Sequence, residues 1–328
     1  MNKSFVGRLF KRAISSLITL FLLVSFLFIL VRLSPGDPTQ KYLSSEFSPE
    51  LKTQVTEQFN LNQPVIEQYS IFIVNIFKGD LGISYTFRQP VLPVIWRFLS
   101  FTFVFALLSF AIQLIVSYIL AITSVRNPGS ILDRIISKFS IIVYATPAFV
   151  MGVFLIFIFS VNIDLFPSSG LNSFDFDSLS FTGKIADYFS HLFLPLLTLS
   201  AAGTAMFYKY LRENIENVYS QNFILHLTAS GYDNRVILRK HVIPNAIRPL
   251  ISIAGIELGI LLSGALITEV IFGLPGMGRL MMDSISSRDY PLIIGCAFVA
   301  GFMMIASNFI ADLIKIKLDK RMIEGQMN

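Results

Sequence analysis

Charge is scarce in this chain: 14% of its 328 residues are Asp, Glu, Lys or Arg, against 54% hydrophobic. Soluble domains carry nearly twice that share of charge, so a water-soluble globule is excluded. Cysteine is almost absent. The single Cys296 rules out an intrachain disulfide and most thiolate metal sites, and within an apolar run it reads as a small packed residue. The three histidines, His191, His226 and His241, are far apart and predicted on different sides of a membrane, so they form no common metal site. No Gly-x-x-x-x-Gly-Lys-Ser/Thr loop occurs, so the chain itself is not expected to bind or hydrolyse ATP. The glycine-rich run at 273–278 ends in Arg279 and lacks the strand-to-helix context of a nucleotide loop. Ser230-Gly231 has no base beside it at membrane depth, and no potassium-filter sequence or ring-forming carboxylate repeat suggests a channel. No catalytic residue, metal or resident cofactor is expected.

What the chain does have is apolar length. Mean hydropathy is +0.66, and six runs, 13–31, 99–123, 139–161, 188–208, 250–271 and 290–314, are long enough to cross ~30 Å of hydrocarbon. Lipid offers backbone groups no partners, so these runs are predicted as helices of an all-α, polytopic membrane protein. The first run resembles a secretory signal, but its apolar core is too long and no small-x-small site precedes Arg32, which favours a retained helix. Ahead of it, Phe5, Val6, Leu9 and Phe10 alternate with Lys3, Arg8, Lys11 and Arg12, suiting a short helix on the cytoplasmic surface. Basic residues also gather at Arg126, Arg134 and Lys138, through 209–248, and in the tail at Lys315, Lys317, Lys320 and Arg321. The connection between the third and fourth runs holds Asp164, Asp175, Asp177 and Asp187 against Lys184. This alternation predicts both termini inside. The net charge of +5 is then a topology signal, with membrane lipid and not nucleic acid as the partner.

The organisation expected is a cytoplasmic basic segment (1–12), a first transmembrane helix (13–33), an external cap (34–98), a five-helix core (99–316) and a cytoplasmic tail (317–328). In the cap, Ser48-Pro49-Glu50 opens a helix with Leu51, Val55 and Phe59 on one face. The apolar run 65–77 is too short to span and is predicted to be packed or interfacial. Residues 273–278 form a rigid turn where backbones approach closely.

Within the core, 211–249 is a cytoplasmic insert of unusual character. Residues 221–230 suit a short helix with Phe223, Ile224 and Leu227 on one face, ended by Gly231. Asp233 or Asn234 caps a second helix carrying Val236, Ile237 and Leu238 among Arg235, Arg239, Lys240 and His241, and Pro244 resets the chain. Two readings fit equally: a helical pair that inserts into a groove on a soluble partner, or a loop lying on anionic lipid.

The motifs of this insert narrow the choice. Gly231, the nine residues after it, and His241-Val242-Ile243-Pro244-Asn245-Ala246 resemble the coupling signature of ABC importer permeases. The likeness extends nearly end to end and is closest to the B-type permease of the dipeptide/oligopeptide/nickel importers. It runs through Arg32-Leu33-Ser34-Pro35-Gly36-Asp37-Pro38, Leu61-Asn62-Gln63-Pro64, Gly79-Asp80-Leu81-Gly82-Ile83-Ser84 and Thr146-Pro147-Ala148-Phe149. It continues through Phe166-Pro167-Ser168-Ser169-Gly170, Leu194-Pro195, the stretch from Thr268 to Arg279, and Arg288-Asp289-Tyr290-Pro291. One departure stands out: Leu225, His226 and Leu227 occupy the family's Glu-Ala-Ala position.

The resemblance implies a type I importer permease fold with six crossings in a bacterial cytoplasmic membrane. It implies as partners a C-type permease, two ABC ATPases that bind ATP and magnesium, and an external substrate-binding protein. It points to Leu225, His226, Ala229, Gly231, Arg239, His241, Pro244 and Asn245 as the ATPase-coupling set. The cargo is peptides or similar solutes, or a nickel chelate, and a non-transporting scaffold or sensor of the same fold is the alternative from another class. Glu257, inside the fifth run, is either a pathway residue with Gln113 or a structural hydrogen-bonding group, with Gln113 as one partner. Asp312 can reach the interface near Lys315.

Overall fold

The computed structural model describes residues 3–33 and 64–318. Helices and the connections between them make up the described residues, which contain no strand beyond a single antiparallel bridge between Ile83 and Pro90. The proposed cap helix at 48–59, most of the motifs at 32–38 and 61–64, and the tail beyond 318 lie outside them.

Helix α1, Lys3–Leu33, joins the basic segment and the first apolar run without a break, where a separate surface helix had been expected. Neither glycine nor proline occurs between Arg8 and Leu33, so nothing interrupts the hydrogen-bond ladder there. Helix α2, Val65–Phe77, coincides with the short apolar run. It packs on α1: Phe28 meets Tyr69 and Phe72 with ring centroids 5.4 and 5.0 Å apart, and Ser25 Oγ lies 2.6 Å from the Tyr69 hydroxyl.

Helix α3 spans Val91–Arg126 and so begins eight residues before the predicted edge of the core at 99. The extension is an apolar wedge: Val91, Val94, Ile95 and Leu99 bury against Met277, Leu280, Leu292 and Cys296. The connection just before it is tied to a distant part of the chain. Buried Asp289 accepts a hydrogen bond from Ser84 Oγ at 2.6 Å and one from Thr86 N at 2.9 Å. Two sequence motifs about 200 residues apart thereby meet.

The third apolar run is not one straight span. Helix α4, Ile131–Ala145, and helix α5, Ala148–Ile156, with its continuation through a wide π turn at Phe157–Asn162, meet at 105°. The cause is local. Pro147 keeps Thr146 out of the helical region, at φ −84° and ψ 123°.

Helix α6, Phe181–Tyr219, has 39 residues and a length of about 58 Å, nearly twice the hydrocarbon thickness. Its excess must stand outside the membrane. Beyond it lie α7 (Asn222–Ala229), α8 (Asn234–Ile237) and α9 (Ile243–Ile247). Then come α10 (Leu250–Leu262), α11 (Leu266–Ile271), α12 (Met277–Ser287) and α13 (Tyr290–Leu318). Helices α10 and α13 touch backbone to backbone. A Cβ on Gly255 would sit 2.2 Å from the Ala311 methyl, and Ser307 Oγ reaches the Gly255 carbonyl at 2.9 Å. Small residues are what permit such proximity between membrane helices.

Four segments are long and apolar enough to cross a bilayer: α3, α6, α10–α11 and α13. The bent α4–α5 pair makes a fifth if counted as one span, and α1 adds the shorter apolar stretch Ile14–Leu30.

Candidate functional site: a two-faced segment at the end of α6

The chain reverses just past the C-terminal end of α6. Ile224 N bonds back to the Gln221 carbonyl at 3.0 Å as α7 begins, and α7 closes at Gly231 with φ +79°. Gly231 N donates to the Thr228 carbonyl at 3.0 Å and Tyr232 N to that of Leu227 at 3.2 Å, the pairing that satisfies a helix end through a left-handed residue. Asp233 then caps α8, its Oδ1 accepting from Arg235 N at 2.9 Å.

Pro244 does not reset the chain here. Helix α8 widens into a π turn at Leu238–Val242 and runs on into α9 with Pro244 in its first turn, where a missing N–H is tolerated. The Asn245 side chain donates to the His241 carbonyl at 2.7 Å.

This segment has two faces. Inward, Ile224, Ile237, Val242 and Ala246 are buried against Phe207, Leu211, Ile215 and Val218 of α6. The Asn214 amide adds a bond of 3.1 Å to the Ala246 carbonyl. Outward, Leu225 is 62% exposed and Tyr232 52%, with Phe223, His226, Ala229 and Gly231 beside them. Apolar side chains left in water at the tip of a rigid support are what a docking surface requires. Of the residues proposed for coupling, Leu225, His226, Ala229 and Gly231 share that tip. Arg239 is exposed on the following turn, Pro244 is exposed on α9, and His241 and Asn245 are half-buried.

Above the segment lies a polar lock absent from the sequence reading. Buried Asp133, in the first turn of α4, accepts from Ser124 Oγ, and from Gly129 N at 2.9 Å. Arg212 of α6 meets Asp133 at 2.8 Å, Glu216 at 3.0 Å and the Tyr208 hydroxyl at 3.2 Å, and also donates to Ser137 Oγ. Three helix ends, those of α3, α4 and α6, are held by this one carboxylate and one guanidinium. Arg212 had been read only as a topology charge. The signal available was its pairing with Glu216 at four-residue spacing.

A second carboxylate, Glu269 in α11, was passed over although it lies inside a quoted motif. It is fully buried and takes hydrogen bonds from Thr102 Oγ1 at 2.9 Å, from Arg279 N at 3.0 Å and from the Gly278 amide. Thr102 in turn accepts from Met277 N at 2.8 Å. The glycines of the turn make room for it: a Cβ on Gly276 would fall 2.1 Å from the Glu269 carboxyl carbon, and one on Gly278 2.5 Å from Leu266 Cα. The expected close approach at 273–278 is thus built around an acid.

Glu257 is half-buried and shares a hydrogen bond with the side chain of Gln113. Gln113 is completely buried, packed over Gly203, and reaches the Leu199 carbonyl at 3.4 Å. Lys315 Nζ lies 3.1 Å from Ser252 Oγ. His191 sits on the Asp187 carbonyl at 2.9 Å, far along α6 from His226 and His241. Among the described residues no cluster of His, Cys, Asp or Glu could hold a metal ion.

A bundle of apolar, membrane-length helices carrying an exposed two-faced segment at the end of its longest helix is the architecture of an integral membrane protein. Residues 113–324 match the family described as the binding-protein-dependent transport system inner membrane component, and residues 5–106 match its N-terminal companion. The chain belongs to this family: it is a multi-pass inner-membrane permease of the ABC importer type, in which ATP is hydrolysed by separate subunits. It is 31% identical to the oligopeptide transport system permease protein AppB of Bacillus subtilis (strain 168), over 95% of this chain and 97% of that protein. It is 30% identical to the nickel import system permease protein NikB of Staphylococcus aureus (strain MRSA252), over 94% and 90%. It is likewise 30% identical to the glutathione transport system permease protein GsiC of Shigella flexneri serotype 5b (strain 8401), over 93% and 94%. In fold it resembles a chain from the crystal structure of an amino acid ABC transporter with histidines. That match has a TM-score of 0.52 at 16% identity and covers 69% of this chain and 94% of the other.

Proposed function

We propose that this chain forms half of the pathway of an ATP-driven importer of peptides or peptide-sized solutes, and that residues 222–247 are where an ATPase subunit grips it. The observation that carries this reading is the two-faced segment. Its inner face is fixed to α6 by buried Ile224, Ile237, Val242 and Ala246, while Leu225, His226 and Tyr232 stand free at its tip. A push on the tip is thereby delivered to α6, and from there, through the Asp133–Arg212 lock, to α3 and α4.

The arrangement has six crossings with both termini inside, a C-type permease completing the pathway, an ATPase on each permease and an external binding protein delivering cargo. Peptide cargo rests on the oligopeptide and glutathione relatives. Leu225-His226-Leu227 replaces the family's acidic and small residues; Leu227 packs inward and Leu225 stands exposed, so the ATPase facing the tip is expected to offer an apolar pocket for Leu225. Leu225→Asp combined with His226→Asp tests the assignment. The pair leaves the buried face untouched, so the permease should still reach the membrane but no longer co-purify with its ATPase, and uptake should fall to background. Full retention of the ATPase by the double variant would remove the docking role.

A further inference from the structure

A cleft of about 1370 Å³ opens between the C-terminal end of α3, the adjoining end of α6, and α8 with its π turn. Its lining changes character along its length. On α3, Tyr118, Ile122 and Arg126 follow one another at four-residue spacing, so they stand on one face and cover about 12 Å. The first two lie within the apolar span, and Arg126 ends it. Across the cleft, Arg235 and Arg239 stand one turn apart with Leu238 beside them. The one acidic residue in the lining, Glu216, is already engaged by Arg212 at 3.0 Å. Arg126, Arg235 and Arg239 are exposed and make no ion pair with any described residue. Three arginines therefore line a common space with no free counter-charge among the described residues, in a cleft whose other end is walled by Ile122 and Tyr118.

We propose that this cleft binds an anionic phospholipid of the inner leaflet, its phosphate held by Arg126, Arg235 and Arg239 and an acyl chain lying along Ile122 and Tyr118. Guanidinium forks match phosphate oxygens in pairs, and a cation near an anionic leaflet gains about 1 kcal/mol. Free phosphate would satisfy the arginines but leave the Tyr118–Ile122 wall bare, which favours the lipid. Bound there, the lipid joins α3 directly to the coupling segment and takes Arg235 and Arg239 for itself, leaving the Leu225–Tyr232 tip to the ATPase. The placement in the inner leaflet rests on the orientation given under Proposed function.

The test uses the full-length chain, scoring retention of phosphatidylglycerol against phosphatidylcholine by native mass spectrometry. Arg126→Gln and Arg235→Gln are each expected to weaken phosphatidylglycerol retention about fivefold, and Ile122→Asp to abolish it with every arginine in place. Helical circular dichroism and monodisperse elution confirm that each variant is folded. Retention by the arginine variants equal to wild type, or equal retention of phosphatidylcholine, overturns the site. Displacement of the lipid by inorganic phosphate, with phosphate binding unaffected by Ile122→Asp, shows a free-anion site and overturns the lipid assignment. Orientation is read separately: in a Cys296→Ser background, Asn127→Cys should be labelled by an impermeant maleimide only in inverted vesicles. Labelling in intact cells would overturn the topology, and the inner leaflet with it, while leaving the lipid-binding result to stand on its own.

Discussion

Glu269 and Arg212 show how a single side chain can govern a membrane fold. Glu269 is buried completely and answers one hydroxyl and three backbone amides, those of Arg279, Gly278 and Ala265. Glu269→Ala strands those donors in an apolar interior, and a loss of about 1–3 kcal/mol is expected, read as a lower thermal midpoint in detergent. Gly278→Ala should act similarly, because the added methyl meets Leu266 backbone at 2.5 Å and backbone cannot rotate away. Arg212→Met leaves Asp133 with its hydroxyl and amide donors but without its counter-ion, and a destabilisation of about 3 kcal/mol is expected. The double variant with Asp133→Asn should recover part of that loss, because the two residues are in direct contact. Apart from the four-residue spacing of Arg212 and Glu216, none of these roles was legible in the sequence. A carboxylate in an apolar run announces that it is paired, but its partners lie up to 167 residues away along the chain and no local pattern points to them.

At the scale of elements, local chemistry carried more. The ends of α7 and α8 follow from Gly231 and Asp233 by rules that act over four residues, and α2 falls on its short apolar run because length alone excludes a span. Gly231→Ala tests the first of these. The site has open space around it, so the whole cost is the left-handed backbone, about 1–2 kcal/mol, and it should appear as faster proteolysis between α7 and α8. Elements whose form depends on distant packing were read less well. The start of α3 is set by burial against α12 and α13, and the run through Pro244 depends on a π turn that no residue pattern declares. The bend at Pro147 was available in the sequence, since a residue before proline leaves the helical region, but continuous hydropathy masked it.

At the scale of the molecule, the all-helical membrane architecture was readable from composition alone, because lipid leaves so few options to a backbone. Membership of the importer permease family then explains what the composition lacks: with ATP bound elsewhere, this chain needs no catalytic group. Its isolated form is expected to show no ATP turnover, and reconstitution with its ATPases should restore turnover that depends on Leu225 and His226. Between α10 and α13 the contact is so close that Gly255→Leu cannot be absorbed by rotamer change. That variant should fail to accumulate in the membrane, measured as loss of full-length chain by immunoblot.

The length of α6 has one more consequence. A continuous rod of about 58 Å, held by the bilayer near its middle, is a lever. Tilting it by about 10° about that middle carries its tip roughly 5 Å sideways, close to one helical turn of travel. With the grip proposed at 222–247, the ATPases need not deform this protein, since a rigid rotation of that size is enough to exchange one set of side-chain neighbours for the next.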